Sequence, residues 1–183
     1  MRLMDSRAGF GRVTRVTHAA VIAVVVVQLC LGWLRGTFPH GSALRSFVLV
    51  LHESFGLTLL AVAVFFVLWA LVINRRPEHD DIKGWQRKLS LWVHWALFGL
   101  IVLEPALGLS LVELGGHAVS FFGVAHIPPV LGTHKEIGEL LGDVHGFIAW
   151  CILVLGGFHA LAALYHHLIE RDSVLVGMLP WGD

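Results

Sequence analysis

The chain has 183 residues, 56% of them hydrophobic and 14% charged, with a mean hydropathy of +0.76. An ordinary soluble domain is about a quarter charged, so these values exclude a water-soluble globule and describe a chain solvated mainly by lipid. Thirteen basic residues balance thirteen acidic ones with no basic stripe, which argues against a nucleic-acid partner.

Four long apolar runs follow one another along the chain. The first, 16–34, comes after an Arg-rich start and ends in no small-x-small cleavage site, so it reads as an uncleaved membrane helix that opens with His18. The second, 47–73, carries His52 near its start and is followed by a polar stretch, 74–88. The third, 89–114, contains His94 and the pair Glu104-Pro105. A loop over 113–136, with Gly115, Gly116, Pro128 and Pro129, is long enough to fold over the end of a bundle. The fourth run, 137–168, holds His145 and His159 and exceeds a minimal span, so it is expected to tilt or protrude. The expectation is an all-α membrane protein: one domain over 1–183, built as a four-transmembrane-helix bundle. Cys30 and Cys151 lie inside apolar runs and form neither a CxxC nor a CxxCH motif, so covalent haem attachment and Cys-ligated zinc are unsupported.

The Lys/Arg distribution orients the spans. Arg2, Arg7, Arg12, Arg15, Arg75, Arg76, Lys83, Arg87, Lys88 and Arg171 fall on one side, and only Arg35, Arg45 and Lys135 on the other. The positive-inside rule then makes both termini cytoplasmic.

Depth sorts the twelve histidines. His40, His117, His126 and His134 fall in outer loops and His79 in the inner one, where a solvated imidazole is the default and a divalent-metal site fits no specific spacing. Five fall inside the spans, where an ionisable group is costly, faces the bundle interior and usually marks function. His145 and His159 are fourteen residues apart. Fourteen residues of α-helix advance about 1400° and rise about 21 Å, so both rings leave nearly one face at two depths. With the orientation above, His52 matches His145 at the outer level, and His18 matches His159 at the inner level. Cross-helix pairs at matched depth suit bis-imidazole ligation of two haems b stacked between the helices, with iron held by His52 with His145 and by His18 with His159. His94 lies level with the inner pair, where it can replace either ligand or donate a hydrogen bond to a propionate or a neighbouring helix. A haem-free transporter using the histidines directly is the remaining alternative.

A bis-histidine haem has no open axial position and exchanges electrons through its edge. A membrane quinone is the natural lipid-soluble partner. His166 and His167, at the inner boundary, are the candidate quinone-site residues, with His166 seven positions beyond His159 and on nearly the same face. Glu104 reads as a proton relay, a propionate neighbour or a protonated, hydrogen-bonded group. Glu53 reads as an orienter of an imidazole or an interfacial residue. Gly56, Gly146, Gly156 and Gly157 near the histidines suit either a macrocycle close to the backbone or ordinary small-residue packing. Trp33, Trp85 and Trp181 read as interface anchors.

Nearly the whole chain resembles the bacterial diheme cytochrome b561 family of the short, four-helix inner-membrane type. The matching features are the run from Arg12 to His18, Arg35-Gly36 followed by Phe38-Pro39, His52 with Gly56, and His94, Phe98, Pro105 and Gly108 in the third span. The block from His145 through His159-Ala160-Leu161-Ala162-Ala163-Leu164-Tyr165-His166-His167 to Met178-Leu179-Pro180 carries it furthest. The resemblance implies two haems b on His18, His52, His145 and His159, with the third-span histidine not a ligand. It also implies a bacterial inner-membrane location. It further implies a superoxide oxidase type of activity, passing electrons from periplasmic superoxide to ubiquinone. The alternative within the same frame is a haem b membrane anchor or electron carrier serving a dehydrogenase, a hydrogenase or a periplasmic cytochrome.

Overall fold

The computed structural model describes residues 2–6, 9–73 and 84–179. The sequence readings placed on Arg7, Arg75, Arg76, His79, Lys83, Pro180 and Trp181 lie outside the described residues. Four long helices dominate: α1 (Arg12–Thr37), α2 (Ala43–Leu68), α3 (Gly84–Leu114) and α4 (Lys135–Tyr165). A two-stranded antiparallel hairpin, β1 (Val119–Phe121) and β2 (Ala125–Ile127), lies between α3 and α4, and a short α5 (Val174–Met178) ends the described chain. All four long helices are long and apolar enough to cross a bilayer, so the chain is an integral membrane protein with a four-helix bundle.

The helices overrun the apolar runs by several residues at most ends. Hydropathy marks only the lipid-embedded part, whereas backbone hydrogen bonding continues into the interface until a cap or a break stops it. Ser42 caps α2, its Oγ accepting from the Arg45 backbone N–H at 3.2 Å. The Arg45 guanidinium donates to the Arg35 and Phe38 carbonyls at 2.8 and 3.2 Å, tying the frayed end of α1 to the start of α2. Both α2 and α4 continue as one π-helical turn, Trp69–Ile73 and His166–Glu170. With its π turn, α4 reaches 36 residues, about 54 Å of axis against a hydrocarbon core of about 30 Å.

Packing runs in chain order. α1 lies against α2, α2 against α3, and α3 against α4, while α4 packs closely on neither α1 nor α2. The buried core is accordingly small and one-sided: Val21, Leu59, Ala63, Phe66 and Ile101, supplied by α1, α2 and α3. Most large apolar side chains, among them Phe47, Trp92, Phe147, Trp150 and Phe158, face outward. In lipid this costs nothing, because acyl chains are as apolar as the core. Trp33 and Trp85 are also exposed, as membrane-interface anchors require.

Candidate haem site

The gap between α4 and its two distant neighbours holds the histidines. His52 of α2 and His145 of α4 face one another with ring centres 6.1 Å apart and planes at 87°. His18 of α1 and His159 of α4 face one another at 6.3 Å and 77°. Two metal–imidazole bonds of about 2 Å, with each ring centre about 1 Å beyond its nitrogen, put the centres about 6 Å apart. Both pairs therefore have the separation that one iron between two imidazoles demands. His94 sits at 5.0 Å from His159, too close for the two to share an iron on opposite sides, and its Nδ1 donates to the Ser90 carbonyl at 2.6 Å.

The surroundings of His145 decide its tautomer. Its Nδ1 lies 3.1 Å from the Glu104 backbone carbonyl, which can only accept, so Nδ1 carries the hydrogen and Nε2 keeps its lone pair. Glu104 Oε1 stands 3.2 Å from the same nitrogen. Gly108 makes room for the ring: a Cβ there would lie 3.1 Å from His145 Cε1. At Gly32 a Cβ would lie 3.5 Å from His52 Cε1, in ordinary van der Waals contact with that ring. Gln28, Arg35, Gly56, Pro105 and Val119 also line the cavity between His52 and His145. The donor set, the ring separations and the glycine-cleared walls all fit a haem at this level. At Gly146, Gly156 and Gly157 an added Cβ would meet nothing within 4 Å, so tight helix packing is not the reason for those glycines.

The loop after α3 closes one end. Ser120 N–H donates to Glu53 Oε2 at 2.8 Å, and Phe122 N–H donates to the fully buried Ser54 Oγ at 2.7 Å. The Ser54 hydroxyl in turn reaches the Val50 and Ser120 carbonyls. Glu53 thus binds the hairpin backbone. Ser54 passed unnoticed in the sequence because a lone serine in an apolar run carries no signal. Phe122 adopts φ +50°, a region costly for an aromatic residue, and its ring rests on Phe55 at 5.4 Å. Those contacts hold a strained turn directly over the His52 level.

At the opposite end His166 Nδ1 lies 2.6 Å from Asp172 Oδ2, while the adjacent His167 is exposed. Arg171, at φ +56°, turns the chain so that Asp172 folds back onto the π turn, its N–H donating to the His166 carbonyl. His40, His117, His126 and His134 are exposed, and among the described residues no three His, Cys, Asp or Glu side chains converge to hold a metal ion. Cys30 and Cys151 are free thiols.

The family model for prokaryotic cytochrome b561 matches residues 9–181. The chain belongs to that family. It is 29% identical over 168 residues to cytochrome b561 homolog 1 of Escherichia coli K12, covering 89% of this chain and 92% of the relative. Cytochrome b561 homolog 2 of the same organism is 25% identical over 179 residues, covering 98% of this chain and 95% of the relative. The protein named "Probable superoxide oxidase CybB" of Yersinia pestis is 24% identical over 163 residues, with 89% and 91% covered. Membership in the cytochrome b561 family implies haem b as cofactor and electron transport within the membrane.

Proposed function

We propose that this cytochrome b561 is a diheme oxidoreductase that carries electrons across the bacterial inner membrane from a periplasmic donor, superoxide foremost, to the ubiquinone pool. One observation carries the reading: three helices supply two facing imidazole pairs, at 6.1 and 6.3 Å, across gaps that the helix packing leaves open. In this reading His52 and His145 hold the haem at the hairpin end, and His18 and His159 the one at the other end. Bound haem b supplies a one-electron carrier. The four histidines would hold the two haems and would restrict them to electron transfer, without oxygen binding. The hairpin, pinned by Glu53 and Ser54, brings Val119 into the wall of the cavity beside the first pair. The excess of ten Lys/Arg over three supports cytoplasmic termini and a periplasmic hairpin.

Two superoxide anions each give up one electron to become dioxygen, and one quinone takes both electrons and two protons to become quinol. The protons call for a group at the membrane boundary. Asp172 holds His166 Nδ1–H and leaves Nε2 to exchange a proton with a quinone oxygen, with the exposed His167 beside it. The exposed apolar Val124, Val130 and Leu131 around the hairpin favour a second reading, in which the chain is an electron-carrying anchor for a dehydrogenase, a hydrogenase or a periplasmic cytochrome. Purified protein in detergent separates the two. Two haems per chain by pyridine haemochrome, reduced rapidly by enzymatically generated superoxide and reoxidised by ubiquinone, are expected. Two haems that superoxide leaves oxidised would move the assignment to the anchor reading, and a chain that takes up no haem would sink both.

A further inference from the structure

The two histidine pairs differ in their hydrogen bonding. His145 has an acid beside it, whereas the rings of His18 and His159 make no hydrogen bond among the described residues. Glu104 is buried in the middle of α3, where a carboxyl group is expensive to keep. Its Oε1 lies 3.2 Å from His145 Nδ1, and its Oε2 is buried with no hydrogen-bond partner among the described residues. Among the described residues no other donor competes with the imidazole for this carboxyl group. Pro105 follows immediately and has no N–H, so the Ile101 carbonyl loses its helical partner and α3 is free to bend beside the ring. Gly108, one turn on, leaves the His145 ring its space.

A carboxyl group behind a metal-ligating imidazole fixes its tautomer and raises its basicity. A more basic axial nitrogen stabilises ferric iron over ferrous and lowers the midpoint potential. We infer that Glu104 is a positioning residue whose carboxyl group, beside the backbone carbonyl that accepts from His145 Nδ1–H, makes His145 the stronger donor to iron and biases electrons to run from the hairpin-level haem toward the one at the other end. The inference rests on the diheme reading, and it assigns a role to a side chain that bis-histidine ligation alone does not require. Electrons run toward the higher potential, so an acid at the hairpin level, with none paired to His18 or His159 among the described residues, favours transfer away from that level.

The test compares Glu104→Gln, which keeps the shape and a weaker side-chain acceptor, with Glu104→Leu, which keeps the bulk and removes the carboxyl group while the residue-104 carbonyl still accepts from His145 Nδ1–H. Haem-loaded protein is titrated potentiometrically by visible absorbance, and the hairpin-level component is identified as the one missing from His52→Ala. That component is expected to move to higher potential in Glu104→Gln and further in Glu104→Leu. In the latter the ferric-to-ferrous preference falls about tenfold, which is about 59 mV for a one-electron couple. The other component stays in place and serves as the control for folding. The near-infrared charge-transfer band of the ferric protein, which follows axial-nitrogen basicity, moves in the same order. Selective loss of the hairpin-level haem from Glu104→Leu, with Glu104→Gln retaining both, also supports the positioning role. Two retained haems whose midpoints stay put in both variants, or shift together, would overturn it. A wild-type chain that binds no haem would instead overturn the diheme reading, and this inference with it.

Discussion

The two ends of the bundle are built to different standards of closure. At the hairpin end, His52 and His145 lie under a β-turn held by Glu53 and Ser54, with Gly32 and Gly108 shaped around the rings and Glu104 on the far nitrogen. At the other end, among the described residues, His18 and His159 meet without an acid on either ring, with Phe66 and His94 alongside. Two sites with nearly the same ring separation thus differ in hydrogen bonding and in the groups crowded around the rings. Ligand identity alone would make them equivalent, so the difference between them resides in neighbouring groups.

The sharpest way to break this comparison is to remove one imidazole from each end. His52→Ala and His18→Ala are each expected to halve the haem content, measured by pyridine haemochrome, and to leave a single component in a redox titration. A Gly108→Val substitution tests the walls. A Cβ there already stands 3.1 Å from His145 Cε1, and the extra methyl groups force the ring aside. The hairpin-level haem is expected to be depleted several-fold while the other stays fully occupied. Equal loss from both levels would mean that Gly108 serves general helix packing.

Ser54→Ala probes the cap. It takes the partner from the Phe122 N–H, a part-buried hydrogen bond whose loss costs about 1 kcal/mol. Faster proteolytic cleavage within 119–127, with the haem count preserved, is the expected readout. Unchanged cleavage would show that the strained Phe122 turn is held by its aromatic contacts alone. The smallest effect belongs to His94→Ala. With its ring 5.0 Å from His159 and its Nδ1 on Ser90, it is expected to keep both haems and to change the spectrum little. Loss of a haem from that variant would make His94 a ligand and displace His18.

The location of the difficulty in reading this chain follows from the range of each interaction. Four apolar runs make four helices because backbone groups in lipid must be satisfied within their own segment, so span number and fold class are local properties. The approach of His52 to His145 and of His18 to His159 follows from the same one-dimensional facts: helical rise, direction of each span and depth. The placement of Glu104 behind His145 does not, because it couples residues 41 apart through the rotation of α3 against α4. Nor does the attachment of Ser120 to Glu53 across 67 residues, which depends on where the hairpin lands. Periodicity places Glu53 next to His52 in the chain, yet successive helical side chains point about 100° apart, so the acid reaches the hairpin rather than the ring.

What the sequence determined by itself is the lipid-solvated four-helix bundle and the matched depths of its histidines, since hydropathy and helical pitch are set residue by residue. Only the tertiary structure decided which nitrogen of His145 carries its hydrogen, which side of His159 His94 occupies, and which serine holds the cap. Each of those depends on the rotation and spacing of whole helices, and packing in three dimensions alone sets those quantities.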